Sequence, residues 1–329
     1  MVTIYDIAKK TGISKSTVSR VVSGNGYVSH EKRQTILNMM HELGYIPNQT
    51  AKNLRRQQTM TIGFLVGGYY PLVGEVIDVF INTAAQYGYT VTVYFVNNAD
   101  EELDVLNLLT TKGLDAVYIL TRMNSWNVIG SYASFGPIAT WQRVEHQGIY
   151  SNYVDHYPIY LQIMKRLYDH GFRQIGHVLS NTRNANTQAR EKAITKFSHS
   201  HPDTDQSCRF FYSKQVNAGK DAAIRWLSLS NRPNAMIFFA DYVAAEFTAT
   251  LRHHSIQVPK DCFVVGTDNS QISQLMNIPT VDLCFRIQAY NAFIYLYNKL
   301  NHKELPFKHQ IPRWIDGYSF PNPKKTIGG

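Results

Sequence analysis

TIYDIAKKTGISKSTVSRVV, residues Thr3 to Val22, decides how the amino-terminal part of this 329-residue chain folds. Thr3 followed by Asp6 at the third helical position is a capping box, so a helix is predicted from Ile4, with Ile4, Ile7 and Ala8 as its apolar stripe. Gly12 ends it, because a residue free to take positive φ permits a tight turn. Ser14 is a good N-cap for a second helix that buries Val18, Val21 and Val22. Lys15, Ser16, Ser19 and Arg20 then fall on another face. A third helix begins after Ser29, with Glu31 at its positive end, and runs through Ile36, Leu37, Met40 and Leu43 to the cap Gly44. Two helices joined by a three- or four-residue turn and braced by a third make a helix-turn-helix.

In that arrangement the second helix enters the major groove of DNA with its first residues at the base edges. Lys15 suits guanine acceptors there, and the Ser16 hydroxyl serves several bases. Arg20, one turn later, reads guanine bidentately or clamps a phosphate. Thr3, Tyr5, Thr17, Ser19 and Ser29 are better placed for phosphate oxygens, which fix register without reading sequence. Thr3, Ser14 and Ser29 can equally be plain helix caps.

Charge supports a polyanion partner for this segment. Of the net +9, residues 1–58 carry nine basic against three acidic side chains, and the remaining 271 residues are nearly balanced. Cys208, Cys262 and Cys284 are odd in number, widely separated and outside any CxxC pair, so no disulfide framework or zinc knuckle is expected. The first residues lack a signal-peptide apolar core and the apolar runs are too short to span a bilayer, giving the expectation of a soluble, cytoplasmic protein without a membrane partner.

YDIAKKTGISKSTVSRVVSGNGYVSHEKRQTI followed by ELGYIPNQTAKNL closely resembles the DNA-binding head and hinge of the lactose repressor (LacI/GalR) family of transcription regulators. Pro47 pushes Ile46 out of helix and marks a joint. Asn48 can cap a short helix over roughly Gln49 to Arg56, too short to persist alone in water. In the family this segment folds on operator DNA and its leucine wedges into the minor groove. Leu54 matches that residue, Asn48 and Ala51 match its neighbours, and Arg55 and Arg56 would neutralise phosphates. The expected organisation is a head over 1–46, a hinge over 47–59, a body over 60–320 and a tail over 321–329.

From Thr61 the chain alternates short β-rich runs (TIGFLV, TVTVYFV, AVYIL, QIGHVL, AMIFFA, CFVVGTD) with helical stretches at Leu72–Tyr87, Glu101–Lys112, Tyr160–His170, Ala185–Ser200, Ala218–Ser230 and Val243–His254. Such alternation predicts parallel sheets covered on both faces. The fold class expected is therefore a small all-α helix-turn-helix head plus an α/β body of two doubly wound parallel-sheet subdomains, with a ligand cleft at the strand ends. The first subdomain is expected over about 60–157 and 290–320, the second over about 158–287. There is no GxGxxG, P-loop, GxSxG or HExxH, so no enzyme, cofactor or metal site is expected; His199, His201, His253 and His254 read as solvated.

The body resembles the periplasmic-binding-protein-like effector domain of the same family through GPIATWQR, VDHY, LYDHGFRQIGHV, AREKA, FFADYVAAE and VVGTDNS followed by NIP, in order and spacing. The resemblance carries Arg190, Asp268 and, more weakly, Asp155 into roles that hydrogen-bond effector hydroxyls or other polar groups. Gln142 replaces an aspartate common in sugar-responsive relatives, Ala240-Asp241 replaces Asn-Asp, and AREKA ends in Ala193 instead of glycine. Tyr69, Tyr70, Trp141 and Phe239 follow or end strands, where rings can pack on the apolar face of a pyranose; they can equally be core or interface rings.

The resemblance implies a repressor of a carbohydrate-utilisation operon that binds a palindromic operator as a homodimer and is controlled allosterically by a small-molecule effector, a sugar above all, acting as inducer. The terminal GYSFPNPKKTIGG has no leucine heptads, so a dimer is expected instead of a tetramer. Two other readings stand beside this one. A family member controlled by a non-sugar ligand or a protein corepressor would keep the head. A transporter-type binding protein would have no use for Thr3–Thr59.

Overall fold

The computed structural model describes residues 2–24, 26–46 and 58–320. The chain divides into two compact units, Met1–Thr61 and Ile62–Gly329. The hinge expectation, with Asn48, Ala51 and Leu54, falls on residues 47–57 and lies outside the described residues, as does the tail at 321–329.

In the first unit, α1 (Ile4–Thr11), α2 (Lys15–Ser23) and α3 (His30–Glu42) close around Ile7, Val18, Val21, Val28 and Ile36. The Asp6 carboxylate accepts both the Thr3 backbone N–H and the Thr3 hydroxyl at 2.8 Å, which satisfies one of the orphan donors at the start of α1. Gly12 ends α1 at φ +67°, a conformation that costs a residue with a Cβ. Ser14 accepts the Thr17 backbone N–H at 3.3 Å and so starts α2. One position differs from expectation: Leu37 is 42% exposed, and Met39 packs on the core instead. From Ile36 the buried stripe continues through Met39, Met40 and Leu43, and Leu37 lies one position round the helix from it.

In the second unit, β1 (Thr61–Val66), β2 (Thr90–Phe95), β3 (Ala116–Ile119), β4 (Ile138–Thr140) and β5 (Ile149–Ser151) form a sheet of order β2-β1-β3-β4-β5. The helices among them are α4 (Pro71–Gln86), α5 (Ala99–Thr110) and the short α6 (Trp126–Gly130). A second sheet of order β7-β6-β8-β9, parallel throughout, is built from β6 (Ile175–Ser180), β7 (Arg209–Tyr212), β8 (Ala235–Phe238) and β9 (Phe263–Val265). It is covered by α7 (His156–Asp169), α8 (Ala185–Ser200), α9 (Ala218–Leu227) and α10 (Asp241–His253). In each sheet the strand that comes first in the chain lies inside the one that follows it, the doubly wound pattern whose crevice opens at strand carboxyl ends.

The chain crosses between the two halves three times. After α11 (Gln271–Met276) and β10 (Thr280–Asp282), α12 (Phe285–Asn301) returns to the first half and packs on α4, β3 and β4. β11 (Arg313–Ile315) then pairs antiparallel with β10. Residues 313–320 were expected with the first half and instead complete the second. Trp314, Tyr318 and Phe320 pack on its core, Phe320 stacks on Phe263 at 4.5 Å, and the Tyr318 hydroxyl donates to the Val264 carbonyl at 2.6 Å. Burying three rings outweighs the tether to α12. Among the described residues no helix is long and apolar enough to cross a membrane.

Candidate functional site

Two surfaces collect the polar side chains. On the first unit, Tyr5, Lys15, Ser16 and Arg20 are all exposed, and they come from α1 and the start of α2. Lys15 Nζ donates to the Tyr5 hydroxyl and lies 3.7 Å from the centre of its ring, so the two helices present one cationic, hydroxyl-bearing face. Thr17 is half-buried and its hydroxyl is hydrogen-bonded to Ser14 at 2.8 Å, a cap contact that uses part of what phosphate would take. Ser19 is half-buried on the same helix. The Thr3 hydroxyl donates to Asp6 within the capping box. Ser29 precedes α3, exposed, without its side chain capping the helix. Such a face can lie along a polyanion groove, with α2 reaching base edges through its first turn.

On the second unit, a cleft of about 640 Å³ opens where the strands end. Its walls come from the segments after β1 (Tyr69, Tyr70), after β4 (Trp141, Gln142), after β8 (Phe239) and after β9 (Asp268), with Arg190 from α8. Seven of the eight residues expected at an effector site therefore line one cavity. Asp155 does not. It is exposed and caps α7, accepting the Tyr157 backbone N–H at 2.9 Å. The side chain at an N-cap turns back to its own helix, and the neighbours Val154 and His156 face the cleft in its place.

The interior is polar and incompletely paired. Arg190 is 4% exposed, its Nη2 makes only a 3.4 Å bond to the Phe239 carbonyl, and its Nε has no partner. Gln215, also lining the cleft, has its Oε1 buried without a partner. Left unsatisfied, groups of this kind cost about 1–3 kcal/mol each, so a ligand that supplies their partners binds favourably. Burial raises the carboxyls of both Asp268 and Asp241, and Asp241 adds to the effect on Asp268. Asp241 receives the Ser270 backbone N–H at 2.8 Å, the Ser270 hydroxyl at 2.9 Å and the Thr280 hydroxyl at 2.6 Å. Asp268 receives only the Asp241 N–H at 3.3 Å, so burial weighs more heavily on its charge than on that of Asp241. Asp268 sits at φ +147°, a strained backbone held by its surroundings. Burial first, then Arg190, holds His156 in its neutral form.

Trp141 is fixed by its indole N–H to the Leu120 carbonyl at 2.7 Å and by Phe285, 5.0 Å away between ring centres. Gln142 Nε2 donates to the same carbonyl at 2.9 Å, which leaves its oxygen for other partners. Sequence reasoning missed Arg122, Arg183, Lys214, Gln215 and Phe285, which also line the cavity. All but Phe285 stand in loops after strands, where no periodicity marks them; the rule that such loops surround the crevice was the available signal.

Residues 3–48 match the family described as bacterial regulatory proteins, lacI family, and residues 164–320 match the periplasmic binding protein-like domain. The NTD biosynthesis operon regulator NtdR of Bacillus subtilis (strain 168) is 30% identical over 295 residues, covering 86% of this chain and 88% of that one. Catabolite control protein B of the same organism is 27% identical, covering 89% and 94%. Among solved structures, a lac repressor dimer bound to operator and the anti-inducer ONPF superposes with a TM-score of 0.83 at 20% identity, over 96% of this chain and 98% of that one. A LacI family regulator from Lactobacillus casei with bound sucrose gives 0.71 at 21%, over 79% and 99%.

Proposed function

This chain belongs to the lacI family of bacterial regulatory proteins, and on that premise we propose that it is a repressor of a carbohydrate-utilisation operon, released from a near-palindromic operator when a sugar-class effector occupies the cleft. It is a DNA-binding transcriptional regulator and not an enzyme. The observation that carries the proposal is the pairing, in one chain, of an exposed Tyr5-Lys15-Ser16-Arg20 face with a cleft where Arg190 stands buried and half-partnered near Asp268.

A single helix-turn-helix contacts one half-site, so the protein acts as a homodimer, in the cytoplasm where its DNA lies. Lys15, Ser16 and Arg20 read bases. Thr3, Tyr5, Thr17, Ser19 and Ser29 hold phosphates. Asn48, Ala51 and Leu54 act in the minor groove, where an apolar wedge opens a base step at a cost of a few kcal/mol, offset by closer wrapping of bent DNA. In the cleft, Trp141 and Phe239 offer flat apolar surface while Arg190, Asp268 and the Gln142 oxygen take hydroxyls. The effector need only favour one closure state of the two halves; a coupling of about 1–3 kcal/mol changes operator affinity about 5- to 150-fold.

Thermal unfolding of the purified chain against sugars and polyols, followed by fluorescence anisotropy on operator DNA, tests the reading. An effector raises the unfolding midpoint by mass action and lowers operator affinity within that range. A ligand that stabilises the protein while leaving operator affinity unchanged contradicts it.

A further inference from the structure

The cleft is lined by five cationic side chains, Arg122, Arg143, Arg183, Arg190 and Lys214, and, among the described residues, by one carboxyl, Asp268. That balance is unlike what a neutral polyol requires. Of the five, Arg143 has a carboxylate neighbour, Glu145 at 3.6 Å, and both are exposed. Arg122 donates to the Asn124 carbonyl at 2.7 Å and lies over Trp126, contacts that leave its charge unneutralised. Arg183 and Lys214 have no ion pair among the described residues. Glu75, which besides Asp241 also acts on Asp268, is bound to Arg286 at 2.7 Å.

Three of these cations come from adjoining segments, since Arg183 and Lys214 follow the paired strand ends Ser180 and Tyr212 and Arg190 lies on the helix after β6. Arg183 precedes the first turn of α8, a helix of 16 residues whose Asn184, Ala185 and Asn186 line the cleft. The positive end of that helix therefore faces the cavity. Arg190 projects from the same helix with Nε buried and unpartnered, and Lys214 stands beside Gln215, whose buried Oε1 is also unpartnered. The helix end and the unpartnered Nε of a buried guanidinium are independent signs that a further acceptor belongs here.

We propose that the effector carries a phosphate group, seated by Arg183, Lys214 and the start of α8 with Arg190 behind it, and that its ring lies against Trp141. This rests on the reading of the cleft as the effector site. The same phosphate chemistry is found on a sugar monophosphate and on a nucleoside monophosphate, and the aromatic wall accepts either ring.

Matched pairs separate the cases: glucose, fructose, ribose and adenosine, each beside its monophosphate, with inorganic phosphate as a further arm, titrated into the full chain by calorimetry and thermal unfolding. At least one ester should bind about tenfold or more tightly than its parent and than inorganic phosphate, and its affinity should fall as salt rises. Arg183→Ala and Lys214→Ala should each weaken that ester about tenfold, judged against each variant's own ligand-free midpoint. Which ester responds tells sugar from nucleotide. A parent sugar that binds as tightly as its ester overturns the phosphate and leaves the effector reading standing, and inorganic phosphate equal to every ester, an adventitious ion only, also overturns it. No response to any member overturns both.

Discussion

Glu75 on α4 accepts the backbone N–H of Gln271 at 2.9 Å, and its second oxygen holds Arg286 at 2.7 Å. α4 belongs to the first half of the body and Gln271 opens α11 in the second, so one partly buried carboxylate ties the halves together beside the cleft. A charged acceptor on a backbone N–H is stronger than a neutral one, whereas its ion pair with exposed Arg286 adds little.

Glu75→Gln should loosen that tie. Amides of residues 270–276 are expected to exchange about tenfold faster, while the β6 amides in the core keep their protection. Unchanged exchange at 270–276 would show that the halves are held elsewhere.

Gly266 admits no side chain. A Cβ there would lie 2.1 Å from Asp241 Oδ1, the carboxylate that gathers Ser270 and Thr280 and so shapes the loop carrying Asp268. Gly266→Ala should cost about 2–3 kcal/mol in urea unfolding and weaken effector binding with it. A variant as stable as the parent sinks the idea that this carboxylate anchors the loop.

His177 ties stability to pH. Burial, then Arg209, depresses its pKa to about 3; Nδ1 accepts from the Tyr160 hydroxyl at 3.0 Å and Nε2 donates to Gln206 Oε1 at 3.2 Å. The unfolded chain therefore binds a proton that the folded chain refuses between the ordinary histidine value and about 3. Stability from this group is complete above the ordinary value and is lost as pH falls through that window, by up to about 1.4 kcal/mol per pH unit. His177→Asn should be less stable at pH 7.5 but lose less between pH 7 and pH 5. Equal losses in the two proteins rule out this histidine as the source.

On the head, Lys15→Ala should cost about 1–3 kcal/mol at the cognate sequence and relax preference at one base pair. Leu54→Ala should weaken specific operator binding far more than binding to random duplex; equal losses would speak against a minor-groove wedge.

Much of this was legible in the sequence because local signals agreed. Thr3, Ser14, Gly12 and the valine spacing of α2 define the helix-turn-helix without tertiary help, and the alternation of β-branched runs with helical stretches predicts the two sheets. α12 was not marked: FRIQAYNAFIYLYNKLN has no capping side chain, since Cys284 precedes it in a left-handed conformation, and its buried and exposed aromatics blur any stripe. β11 and Phe320 escaped because three-residue pairing is decided by distant partners. Arg190 and Asp268 were found through their place in a family pattern. Arg183 and Lys214 had only charge and loop position, and they acquire meaning once the strand ends converge.

The most direct test of the central claim is repeated selection of duplexes from a random-sequence pool by the purified full-length chain, with sequencing of the bound fraction. Enrichment of one near-palindromic site, with its two half-sites read alike and affinity falling steeply with salt, is the predicted result. A bound fraction as diverse as the starting pool would contradict it.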